Sequence, residues 1–121
     1  MAKKILIIED YPATSKMIAD ILELEGFEAV IEPDGITGLK KAAEEKPDLI
    51  LLDIMLPGMD GLEVCTALKT DPRTKTIPII ILSVKASNEE IKAGLDCGAE
   101  DYITKPFEPL QLIEAVKKYL I

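Results

Sequence analysis

Two kinds of apolar pattern alternate along this chain. One kind is a short, nearly unbroken block of branched residues: Ile5-Leu6-Ile7-Ile8, Leu49-Ile50-Leu51-Leu52 and Ile79-Ile80-Ile81-Leu82. The other is a longer stretch in which apolar residues recur at helical spacing among charges. The blocks read as strands and the stretches as helices. The pattern predicts a strand over Lys4–Glu9, a helix over Pro12–Glu25 that Gly26 stops, and an alternating strand over Phe27–Glu32. Pro33-Asp34-Gly35 is a turn leading to a helix that ends at Lys46. Strand Asp48–Asp53 follows, then the loop Pro57-Gly58-Met59-Asp60-Gly61 and a helix over Leu62–Thr70. Beyond them come strand Pro78–Ser83, a helix from Asn88 to Cys97 with Asn88 as its cap, a short strand Asp101–Thr104, and a final helix from Pro109.

The near-continuous Ile/Leu content of the first, third and fourth strands belongs to a parallel sheet covered on both faces. Regular β-α alternation with right-handed crossovers then gives an α/β doubly wound, five-stranded parallel sheet with helices on both faces. The most apolar strands should lie innermost, and their carboxyl ends should meet in the crevice where such sheets carry their chemistry. Those ends are polar: Glu9-Asp10, Asp53 and Ser83, with Lys105-Pro106 closing the last strand.

Length and charge narrow the possibilities. The 121 residues suit one domain with a full core, and 48% are hydrophobic. No apolar run approaches the roughly 20 residues of a membrane-spanning helix. The start of the chain runs straight into the first strand without the pattern of a signal peptide, so a cytoplasmic location is the expectation. A net charge of −8 disfavours direct nucleic-acid binding. With no histidine in the chain, His catalysis and His metal ligands are excluded, and any metal is of the oxygen-seeking kind, such as Mg²⁺. Cys65 and Cys97 match no zinc spacing; Cys65 is expected as a buried free thiol, and no disulfide is expected.

Adjacent carboxylates repel unless a cation lies between them. Mg²⁺ takes one or two protein carboxylates and keeps positions open for phosphate oxygens. Asp10 and Asp53 can each supply an oxygen, Glu9 directly or through water, and a backbone carbonyl just after Asp53 another. The plainer reading of Glu9-Asp10 is a helix cap; polar residues at the other strand ends weigh against it. Lys105 can reach toward Asp53, and Pro106 is a candidate for a cis peptide. Ser83 is either a local turn former or a donor to a phosphoryl oxygen. A carboxylate can attack phosphorus and form an aspartyl phosphate, and a metal ion, an ammonium and a hydroxyl would neutralise the equatorial oxygens.

With these residues together, the chain resembles, over its whole length (residues 1–121), the receiver domain of two-component response regulators. The resemblance rests on Glu9-Asp10, on Leu51-Leu52-Asp53-Ile54-Met55-Leu56-Pro57-Gly58-Met59-Asp60-Gly61, on Pro78 through Ser83, on Gly98-Ala99 and on Asp101-Tyr102-Ile103-Thr104-Lys105-Pro106-Phe107. It implies a flavodoxin-like sheet of order 2-1-3-4-5. It implies that Asp53 accepts phosphate from a sensor histidine kinase or phosphotransfer protein. It further implies Mg²⁺ ligation by Asp10, Asp53 and the Met55 carbonyl with Glu9 assisting, a switch hydroxyl at Ser83, a phosphate-contacting Lys105, and a switch aromatic at Tyr102 that turns inward. An output domain or effector protein would read the switched face. Glu9 stands where an aspartate is commoner, and Val84 is bulkier than the usual Ala or Gly and narrows access. Three rivals remain: a phosphatase of haloacid dehalogenase type, which needs an acid where Met55 stands; a flavodoxin-like electron carrier, whose phosphate Glu9-Asp10 would repel; and a degenerate receiver that only binds partners.

Overall fold

A computed structural model describes residues 2–120. Ten elements alternate: β1 (Lys4–Ile8), α1 (Pro12–Leu24), β2 (Glu28–Glu32), α2 (Gly35–Glu45), β3 (Leu49–Asp53), α3 (Gly61–Thr70), β4 (Ile79–Ser83), α4 (Asn88–Asp96), β5 (Asp101–Thr104) and α5 (Pro109–Leu120). The strands form one parallel sheet ordered β2-β1-β3-β4-β5, as expected. β3 and β4 are buried at every position, whereas the edge strand β2 is half-exposed.

Strand alternation sends successive side chains to opposite faces and so divides the core in two. Ile5, Ile7, Leu49, Leu51, Ile80 and Leu82 pack beneath α1 and α5 through Ile18, Leu22, Leu112 and Val116. Leu6, Ile8, Ile50, Leu52, Ile79 and Ile81 face α2 and α3 through Ala42, Val64, Cys65 and Leu68. Burying each large aliphatic side chain contributes about 1.5–3 kcal/mol relative to leaving it exposed. Both layers therefore brace the central strands whose ends carry the polar residues. No helix among the described residues is long and apolar enough to cross a membrane.

The sequence placed most boundaries within a residue, but α4 is capped differently from expectation. Ser87, not Asn88, is the cap: its hydroxyl accepts the Glu90 N–H (3.1 Å) and donates to Glu90 Oε1 (2.8 Å). Ser87-Asn88-Glu89-Glu90 is a Ser-x-x-Glu capping pattern, which puts Asn88 in the first turn. Cys65 is buried as expected. Its thiol donates to the Cys97 carbonyl (3.7 Å), and burial pushes its pKa to about 11.

Candidate phosphoacceptor site

The parallel register brings the ends of β1, β3 and β4 to one edge: Ile8 lies opposite Leu52, and Asp53 opposite Leu82. Glu9, Asp10 and Asp53 each present a carboxylate oxygen there, all within 4.8 Å of one another. Asp10 is exposed, while Glu9 and Asp53 are 3% and 8% exposed. The helix-cap reading of Glu9-Asp10 does not hold. Tyr11 is the N-cap of α1 and makes no side-chain capping bond, Pro12 begins the helix, and the backbone N–H that the Glu9 carboxylate accepts is that of Tyr11 itself (3.3 Å), not one in the helix's first turn.

Lys105 crosses from the end of β5 into this cluster. Its ammonium donates to Asp53 Oδ2 at 3.3 Å, as the sequence suggested, but its shorter contact, 2.5 Å, is with Glu9 Oε1. Burial raises the Glu9 pKa; Asp53 beside it adds to the rise, and Lys105 opposes it. The Lys105–Pro106 peptide is cis. One ammonium thus stands among three carboxylates, and the excess of anionic oxygens suits a divalent cation. With oxygen donors only, the cluster of Glu9, Asp10 and Asp53 fits an oxygen-seeking cation such as Mg²⁺.

Asp53 is held by its own loop, since the Met55 N–H donates to Oδ1 at 2.9 Å. That bond leaves Oδ2 directed at Lys105. The Met55 side chain is 51% exposed and lines an open cleft of about 550 Å³ with Asp10, Asp60, Glu63 and Lys85. Val84 is 59% exposed and borders a smaller apolar recess beside Lys105, with Met17 and Phe107. Ser83 is fully buried, and its oxygen accepts the Lys85 N–H (3.1 Å), so it does form a local turn. Tyr102, half-buried, donates its hydroxyl to the Lys85 carbonyl (2.7 Å), and burial raises its pKa. Every buried side-chain nitrogen and oxygen among the described residues has a hydrogen-bond partner.

Sequence reasoning missed Gly61. A Cβ there would lie 2.2 Å from the Ile54 Cα and 2.7 Å from the Asp53 carbonyl oxygen, and the Gly61 N–H donates to the Ile54 carbonyl (2.9 Å). α3, capped by Asp60, therefore starts directly against the backbone of the candidate acceptor. Met59-Asp60-Gly61, the end of the loop and part of the motif that carries the resemblance, holds the signal, but its composition does not show the backbone that approaches Gly61.

A family model described as the response regulator receiver domain matches residues 5–117. The DNA-binding response regulator MtrA of Mycolicibacterium smegmatis is 39% identical over 99% of this chain and 51% of its own length. The chain spans about half the length of the curated relatives it matches. A putative response regulator from Chloroflexus aurantiacus superposes with a TM-score of 0.95 at 33% identity, covering 99% of this chain and 98% of that one. The receiver domain of a sensor histidine kinase from Pseudomonas aeruginosa, with a magnesium ion coordinated in its active site cleft, gives 0.92 at 28% identity, covering 99% and 98%. The chain belongs to the response regulator receiver domain family. It is a phosphoacceptor signalling domain of two-component systems, and nothing among these relatives supports the phosphatase reading.

Proposed function

We propose that Asp53 is the phosphoacceptor and that residues 1–121 act as one receiver unit that catalyses only its own phosphorylation and dephosphorylation in the cytoplasm. The observation carrying this reading is the meeting of Asp53, Glu9 and Asp10 around the Lys105 ammonium at one sheet edge. An Asp53 carboxylate oxygen attacks the phosphorus of a phosphohistidine on a sensor histidine kinase or phosphotransfer protein. The O–P bond forms as the N–P bond breaks, and the departing imidazole nitrogen takes a proton. Lys105 neutralises one equatorial oxygen and the Ser83 hydroxyl donates to another. Asp10, Asp53 and the Met55 carbonyl, with Glu9 nearby, would hold Mg²⁺, which would supply charge neutralisation for the third oxygen. The magnesium ion in the Pseudomonas neighbour's cleft supports that assignment.

Ser83, Lys85 and Tyr102 lie in one hydrogen-bonded run, so a pull on the Ser83 hydroxyl is felt at the switch aromatic. An output domain or effector protein reads the resulting shift of population between two states. The chain's charge of −8 disfavours direct nucleic-acid contact by this domain.

Beryllofluoride with Mg²⁺ tests the reading. Wild type should bind it saturably with a change in Tyr102 emission, and Asp53→Asn should not bind while keeping its melting temperature. Undiminished binding by Asp53→Asn would place the acceptor elsewhere.

A further inference from the structure

Helix α4 meets the sheet through a glycine. A Cβ at Gly94 would stand 2.9 Å from both Cδ2 and Cε2 of the Tyr102 ring and 2.8 Å from Ile81 Cδ1, distances at which something must shift. Gly94 is buried within α4, Ile81 is fully buried in β4, and Tyr102 packs against the cluster that contains Ile81. The ring therefore lies inward, over β4 and under α4, in the space that a side chain at residue 94 would take. The other end of Tyr102 is fixed by its hydroxyl bond to the Lys85 carbonyl, and the Lys85 N–H is in turn bonded to Ser83 Oγ.

We infer that Gly94 is a positioning residue for the receiver's response: its missing side chain is the seat of the inward Tyr102 ring, and the Lys85 backbone links that seat to Ser83. The inference rests on the roles proposed above for Ser83 and Tyr102. A helix interior otherwise favours alanine over glycine by about 1 kcal/mol, so a glycine here forgoes helix stability for a vacancy that the ring fills. A Cβ at this position meets Ile81 whichever way the ring turns, and its further clash with the ring penalises the inward state. By linkage, whatever favours that state at Asp53 must then bind more weakly.

The test is a beryllofluoride–Mg²⁺ titration of the 121-residue chain, with fluorotyrosine resonances read alongside and Tyr102 assigned through Tyr102→Phe. Gly94→Ala should displace the Tyr102 resonance and weaken beryllofluoride binding by roughly fivefold or more. Ile81→Val/Gly94→Ala should behave alike, because it relieves the aliphatic clash and leaves the ring clash; it also serves if Gly94→Ala alone folds poorly. In a Tyr102→Ala background the Gly94→Ala change should have no effect on affinity, since the ring atoms it meets are gone. Equal weakening in that background, unchanged affinity in Gly94→Ala, or tighter binding would each overturn the inference. The site assignment is checked separately in the same assay: if Asp53→Asn binds like wild type, it is the acceptor reading that fails.

Discussion

Two lysines sit at opposite ends of the sheet, and their surroundings differ in kind. Lys69, beside the amino ends of β4 and β5, donates to the Ile77 carbonyl (2.8 Å), the Lys75 carbonyl (3.4 Å) and Glu100 Oε2 (3.0 Å). Glu100 in turn accepts the Ile79 N–H (2.8 Å), so one cation and one carboxylate close a circuit on fixed backbone. The Lys105 ammonium, at the carboxyl ends, has only carboxylate partners among the described residues, and Asp10 adds a further anion nearby. Their side chains are similarly enclosed, 13% and 17% exposed, so burial does not separate them. What separates them is charge balance. The first circuit is complete, whereas the second is over-supplied with anions and has a use for another cation.

The largest effect on stability is expected just beneath the carboxyl-end site. Gly61→Ala forces a Cβ against the Asp53–Ile54 backbone, which cannot yield as a flexible side chain can. It should cost about 3 kcal/mol, read from denaturant unfolding, and lower Mg²⁺ affinity as well. A loss under about 0.5 kcal/mol would mean that α3 can retreat freely.

The two lysines then make a paired experiment. Lys69→Met leaves Glu100 and the Ile77 carbonyl short of a partner and should cost about 2 kcal/mol, with or without Mg²⁺. Lys105→Met leaves Glu9 and Asp53 facing each other, and the resulting loss should be largely restored by millimolar Mg²⁺. Melting curves of both variants, with and without the ion, decide the matter. If both respond alike to Mg²⁺, the contrast drawn from charge balance is wrong.

The smallest expected effect concerns phosphoryl lifetime. Met55 is apolar, exposed and beside Asp53, so it is expected to shield an acyl phosphate without orienting water. Met55→Asn should speed phosphate loss several-fold, roughly 1 kcal/mol in barrier. Equal decay rates, or slower loss from the variant, would remove the shielding role.

What the sequence disclosed follows from how each feature is encoded. β1, β3 and β4 announced themselves because burial on both faces demands unbroken apolar runs; their polar ends pointed to Glu9-Asp10, Asp53 and Ser83, and the end of the short β5 to Lys105. The cap of α4 was encoded too, in Ser87 and Glu90, but Asn88 was the more familiar signal. The closer engagement of Lys105 with Glu9 was not legible, since two carboxylates compete for one ammonium and the choice depends on rotamers. Gly61 and Gly94 were opaque for a related reason. Their importance lies in what approaches them, Asp53–Ile54 in one case and Tyr102 in the other, and local composition does not record an approaching surface.

The edge strand β2 has a consequence for handling the protein. Its sequence Glu28-Ala29-Val30-Ile31-Glu32 leaves one row of backbone donors and acceptors unpaired beside a partly exposed Ile31. Such a margin can template a strand from another molecule, and a glutamate at either end guards against it by repulsion. The overall negative charge adds to the guard. As solution pH approaches the sequence pI of about 4.6, that net charge fades, and this margin becomes the place where self-association should begin.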